Sequence, residues 1–304
     1  MLQSIKRLTK HSFVYGIGHI VSRFMGFLLL PIHTNVYLPE VYRTPALLFS
    51  SIAILSILFS YGLDVAFLRS FILEDKKEKR QIIFSTAFWM ILVTGTCFAL
   101  SMICFPALFS KAIFRSGEFV MLIRLAGGIL LTDALCLLPF LVLRAEERST
   151  QFIVLRSLNI AVNLGLNILF VVILRRGVES IFVANLIASS FTLMTLLPII
   201  MRWLRPMFEK EMLFELFRFG LPYIPSLLAV NIVEQIGRFF LDRMVGEEAT
   251  GVFSAGYKLG MFMALVVAAF RFAWHPFFLS TAKEQPEEAP GIFARVLTYV
   301  LIVT

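Results

Sequence analysis

Apolar residues in this chain gather into long unbroken runs rather than alternating with polar ones. Eight runs lie roughly over Ser12–Tyr37, Pro45–Phe71, Ile82–Leu108, Phe119–Leu143, Gln151–Leu174, Ile181–Trp203, Phe217–Met244 and Gly251–Ser280, and a ninth opens near Ile292 and is still apolar at Thr304. A helix rises ~1.5 Å per residue, so about 20 residues cross a hydrocarbon core of ~30 Å. Each complete run meets that length and exceeds a membrane strand, and period-two alternation is absent, which argues against a β-barrel. The pattern predicts an all-α membrane protein: a polytopic helix bundle with eight full transmembrane helices and part of a ninth. Lys6, Arg7 and Lys10 precede the first run. Its length and the lack of a small-residue cleavage pattern mark a retained helix, not a signal peptide. A ninth run still open at residue 304 leads us to expect either the first part of a longer protein or a truncated form of one.

Composition sharpens this. Of 304 residues 59% are hydrophobic and 16% charged, and the mean hydropathy is +0.85. Soluble domains sit nearer ~25% charged, so too few charges remain to coat a water-facing surface. The net charge is +8. Its lysines and arginines concentrate at the N-terminus and around Arg69–Arg80, Arg144–Arg156 and Arg202–Arg218, while the opposite side carries only Arg43, Lys111, Arg115, Arg175, Arg176 and Arg243. The positive-inside rule places the N-terminus in the cytoplasm. Dispersal among short loops argues against a nucleic-acid partner.

The loops leave no room for a soluble catalytic domain, and no phosphate-binding loop, nucleophile elbow or zincin motif occurs. No catalytic residues, cofactor or metal are expected. Cys97, Cys104 and Cys136 lie within the runs without a CxxC pair, and read as packing residues. His11 and His33 stand near run ends, His19 and His275 inside, with no metal-ligand spacing.

Polar residues at bilayer depth carry what chemistry the chain shows, since each charge there costs ~2.5–3.5 kcal/mol on the insertion scale. Arg23 shares a small-polar stripe with Gly16, His19 and Gly26, and faces either a polar cavity or a carboxylate on another helix. In the fifth run Arg156, Asn159, Asn163 and Asn167 recur on one face. That face suits an aqueous, hydroxyl-rich path or interhelical hydrogen bonds worth ~0.6 kcal/mol each. Arg124 and Asp133 point to opposite sides of the fourth run; Arg124 snorkels and Asp133 needs a donor from another helix. Glu234 and Arg238 stand at i, i+4, either as an ion pair or with Glu234 titrating while Arg238 holds an anion. Arg271 and His275 repeat that spacing before Pro276, and Pro31, Pro222 and Pro225 mark further kinks.

Several segments together resemble the oligosaccharide (polysaccharide) flippases of the MATE-like exporter superfamily, over essentially residues 5–304. They are Tyr61-Gly62-Leu63-Asp64 with Val65-Ala66-Phe67-Leu68-Arg69, the GLPxxP-like Gly220-Leu221-Pro222-Tyr223-Ile224-Pro225, and Gly246-Glu247-Glu248-Ala249-Thr250-Gly251 leading to Tyr257-Lys258-Leu259. The resemblance implies about twelve to fourteen helices in two lobes of six related by a pseudo-two-fold along the membrane normal. Residues 1–215 would form the N-terminal six-helix lobe and 216–304 the start of the C-terminal lobe. Leu38–Arg43 and Gly246–Gly251 occupy equivalent loops under that symmetry, and the family often has glycine where Arg43 stands.

The implied activity is translocation of a polyprenyl-pyrophosphate-linked oligosaccharide across the bacterial inner membrane by alternating access, for cell-surface polysaccharide biosynthesis. Arg23, Arg238 and Arg271 would attract the pyrophosphate or acidic sugars, and Asn159, Asn163 and Asn167 would hydrate the glycan. Glu234, Asp64 or Asp133 would couple transport to H+ or Na+. The rivals are a multidrug or cation antiporter of the same superfamily, which favours acidic cavities, and a membrane-embedded glycosyltransferase or polymerase, which needs a large extramembrane loop.

Overall fold

The computed structural model describes residues 28–29, 31–260 and 287–303, so Arg23, Arg271, His11, His19 and His275 lie outside the described residues. Every regular element among them is helical. By internal contacts the chain forms two units, residues 1–258 and 259–304. In the first, a helical segment over residues 31–36 leads to α1 (Pro39–Ser60), α2 (Leu63–Leu73), α3 (Lys77–Cys104), α4 (Pro106–Phe114), α5 (Val120–Ala145), α6 (Ser149–Asn167), α7 (Glu179–Trp203), α8 (Lys210–Gly220), α9 (Ile224–Met244) and α10, helical over residues 247–260. In the second unit, α11 covers Ala289–Val303.

Six segments among the described residues are long and apolar enough to cross a membrane: Pro39–Leu73, Lys77–Cys104, Val120–Ala145, Ser149–Ile173, Glu179–Trp203 and Lys210–Met244. They match the second to seventh apolar runs of the sequence. With the family resemblance, this makes the protein a multi-pass membrane helix bundle. α5 is the central helix, 61% of its apolar window being buried against 11% for α6 and for α8–α9. It packs against α3 and α7, and α6 packs against α7.

Phe67, Phe71, Phe84, Leu141, Trp203 and Leu216 fill the core at one end of the bundle. Leu47, Leu48, Phe114, Ile123 and Phe182 fill it at the other. Aromatic edges set much of this packing; the Phe71 and Trp203 rings meet edge to face at 4.9 Å.

Three local features depart from straight spans. The second run breaks at Tyr61 and Gly62, which take left-handed backbone angles of φ 51° and 68°. The run Ile82–Leu108 is divided, because Pro106 has no N–H to continue α3 and instead starts α4. α6 ends in a π-helical turn, Ile168–Ile173, closed by Leu174 N–H on the Leu169 carbonyl at 2.9 Å.

Arg43 also stands differently. The sequence places it in a loop, but α1 begins at Pro39, so Arg43 lies in the first turns of the helix and is buried.

Candidate substrate cavity

α1, α9 and α10 converge on a cavity of about 150 Å³ lined by His33, Tyr42, Ser50, Gln235, Arg238 and Lys258, among others. α1 delivers Tyr42 and Ser50 from one face, two turns apart, and Pro39 at its first position fixes where that face begins. α9 delivers Gln235 and Arg238 one turn apart, and Ser254 and Lys258 are one turn apart on α10.

The polar groups are cationic or neutral; among the described residues no carboxylate lines the cavity. Arg238 is 7% exposed. It donates to Gln235 Oε1 and, at 3.3 Å, to Ser50 Oγ. From Glu234 it takes only the backbone carbonyl, at 3.5 Å. Its guanidinium lies 4.8 Å from the Tyr257 ring centre, and Lys258 Nζ lies 5.3 Å from that of Tyr42. Tyr42 Oη and Ser254 Oγ are buried without a hydrogen-bond partner among the described residues. A buried hydroxyl without a partner costs about 1–3 kcal/mol. Two of them beside a buried arginine and a half-buried lysine make a site shaped for an oxyanion.

The polar face of α6 meets this site through one bond. His33 Nε2 donates to Asn167 Oδ1 at 2.9 Å. Asn167 Nδ2 then donates to Asn163 Oδ1 at 2.8 Å, and Asn159 Nδ2 donates to Thr192 Oγ1 at 2.7 Å. The asparagine stripe thus forms hydrogen bonds within the protein, with Asn167 fully buried.

The three carboxylates singled out from sequence lie on separate helices and line no common cavity among the described residues. Asp133 on α5 accepts from Ser189 Oγ of α7 at 2.7 Å, the donor from another helix that its depth demands. Asp64 on α2 has one buried oxygen without a partner and shares a groove with Arg69 and Arg144. Glu234 is exposed on α9. Sequence reasoning missed Tyr42, in the loop between the first two runs, and Ser50, Gln235 and Ser254, whose types are unremarkable in apolar runs. Lys258 carried a signal, as one of the few cations placed inside a span.

A family profile described as polysaccharide biosynthesis protein matches residues 8–282. Nothing among curated proteins matches. Among solved structures, the chain is similar to a MATE transporter in complex with Br-NRF, with TM-score 0.67, 19% identity, and coverage of 88% of this chain and 64% of that one. A multidrug resistance MATE family transporter of the MOP superfamily, in an inward-facing conformation, gives 0.64 and 18%, covering 93% and 64%. A MOP superfamily transporter from Pyrococcus furiosus Vc1, described by a reverse polarity of its binding pocket that suggests a different function, gives 0.65 and 15%, covering 86% and 62%. The chain therefore spans just under two thirds of the length of these transporters, and at such identities the likeness shows the fold alone.

Proposed function

The chain belongs to the polysaccharide biosynthesis protein family, and from that premise we propose that this membrane transporter is a flippase for a polyprenyl-pyrophosphate-linked oligosaccharide in the bacterial inner membrane, with its N-terminus cytoplasmic. The observation that carries the reading is the cavity between α1, α9 and α10. Arg238 and Lys258 line it, and among the described residues no acidic side chain does and two buried hydroxyls have no partner. A diphosphate accepts hydrogen bonds from all four groups.

Arg238 therefore takes the pyrophosphate, joined by Arg23 and Arg271, while Asn159 and Asn163 meet the glycan and the fully buried Asn167 positions Asn163. Asp64, Asp133 or Glu234 couples the cycle to H+ or Na+. Residues 1–215 act as one lobe and 216–304 begin the other, and alternating access moves the cargo between them. The described pocket polarity of the Pyrococcus furiosus relative is a precedent for reading function from pocket charge.

The multidrug antiporter reading draws on the MATE-like fold, but cationic drugs need the acidic lining that this cavity lacks. Inverted vesicles carrying the full chain, Arg238→Ala or Arg23→Ala test the proposal by protection of a lipid-linked oligosaccharide, beside drug-efflux and polymer-growth assays. Both variants should reach the membrane and lose glycan translocation. Retained translocation, or drug efflux in its place, overturns it.

A further inference from the structure

Arg43 is buried at the end of the cavity where α1 begins. Its side chain is 9% exposed, and that of Asp242 in the last turn of α9 is 5% exposed. The guanidinium forks onto both oxygens of Asp242, through Nε and, at 3.2 Å, through Nη2. Nη1 donates to Glu247 Oε1, at the start of α10, at 2.7 Å. One arginine thereby ties α1 to the two helices that complete the cavity. The planar fork meets both Asp242 oxygens side by side while a third N–H reaches Glu247, a fixed geometry that a lysine ammonium does not reproduce.

The backbones are drawn together at the same end. A Cβ on Gly251 of α10 would lie 1.9 Å from the Pro39 carbonyl oxygen, so the helices touch main chain to main chain. This seal is one residue from Tyr42 along α1, and one helical turn from Arg238 along α9. The opposite end is far away. Ser60, where α1 ends, follows Ser50 by 10 positions, about 15 Å of helix.

We infer that Arg43, Asp242 and Glu247 form an ionic latch that closes the cavity at the Arg43 end, and that cargo crosses only when this latch opens; the inference rests on the transport reading above. Ion pairs suit such a device. The charges are held by each other when the latch is shut and by water when it parts, so neither state is trapped. Removing Arg43 leaves Asp242 buried with no counter-charge, and the open state then gains.

The test uses Ser254→Cys, which faces the cavity, in the full chain with Cys97, Cys104 and Cys136 changed to alanine. Membrane-impermeant maleimide is applied from either side of oriented vesicles without cargo. Arg43→Ala should raise labelling from the Arg43 side by about tenfold or more and leave the other side unchanged. Exchanging the charges, Arg43→Asp with Asp242→Arg, should restore protection. Unchanged labelling, or an equal rise on both sides, overturns the latch.

If Arg43→Ala fails to accumulate, Arg43→Cys with Asp242→Cys, joined by a cleavable bifunctional thiol reagent, gives a second reading. Bridging should stop transport and cleavage restore it, whereas transport through the bridged protein overturns the inference. Labelling needs no cargo, so a chain that latches but moves no lipid-linked glycan would sink the transport reading and leave the latch standing.

Discussion

His33 and Asn167, separated by 134 positions, share a buried hydrogen bond of 2.9 Å that joins the cavity to the polar face of α6. The amide oxygen only accepts, so the imidazole donates from Nε2. Asn167→Leu strands that N–H in a buried site, at a cost of about 1–3 kcal/mol. His33→Leu alone should also destabilise, and the double variant by less than the sum. Coupling inside membrane bundles averages about 0.6 kcal/mol and reaches about 1.7. Unfolding titrations of the four proteins in detergent measure it, and strict additivity would show that the bond does not tie α6 to the cavity.

Asp133 is held differently, by Ser189 Oγ at 2.7 Å. Arg156 of the neighbouring helix α6 stacks on Phe140, its guanidinium 4.3 Å from the ring centre. Asp133→Asn keeps an oxygen for Ser189 and removes the charge, so the protein should fold and reach the membrane. If Asp133 is the coupling group, this variant transports at a rate indifferent to an imposed H+ or Na+ gradient. Asp133→Leu loses the hydrogen bond as well and should lower membrane abundance. Gradient dependence surviving in Asp133→Asn would assign coupling to Asp64 or Glu234.

The spans were legible in the sequence because burial in lipid is a local property, written into every window of about 20 residues. The need of Asp133 for a partner on another helix was legible for the same reason, since depth alone demands it. The cavity was not. Arg43 reads as a loop residue beside Pro39, and its partners stand 199 and 204 positions away. Tyr42 in a loop and Ser254 in an apolar run are ordinary residues until folding buries them, without partners among the described residues. Glu234 and Arg238 have ion-pair spacing, yet Arg238 donates instead to Gln235 on its own helix and to Ser50 on another. Spacing along one helix says which side chains meet on it, not which neighbour offers a better partner.

Gly62 and Gly220 form the second close approach of the bundle, where α2 meets α8. A Cβ on Gly62 would lie 2.1 Å from the Gly220 carbonyl oxygen, and one on Gly220 would lie 2.8 Å from that of Tyr61. Gly62 also sits at φ 68°. Gly62→Ala thus adds a left-handed backbone penalty of about 1–2 kcal/mol to the clash. Gly220→Ala carries the clash alone. Gly165, inside α6 with open space where a Cβ would sit, is the control: alanine there should stabilise by about 0.5–1 kcal/mol. Thermal denaturation should rank Gly62→Ala below Gly220→Ala, and Gly165→Ala at or above the unchanged protein. Equal melting of Gly62→Ala and Gly165→Ala would remove the close approach.

Tyr42→Phe separates a binding role from a structural one. Among the described residues Tyr42 Oη is buried without a partner, so deleting it removes a penalty of about 1–3 kcal/mol and should leave stability unchanged or raised. With cargo present the same hydroxyl is expected to donate to a phosphoryl oxygen. A hydrogen bond to a charged group contributes about 1.5–3 kcal/mol, so its loss should cut transport or diphosphate binding by about tenfold to a hundredfold. Ser254→Ala should behave alike, and Tyr42→Phe with Ser254→Ala should be the most stable and least active of the set. A purely structural hydroxyl would lower stability and activity together. Melting temperature and lipid-linked oligosaccharide protection, measured on the same vesicle preparations, give opposite signs if these hydroxyls await an oxyanion and the same sign if they do not.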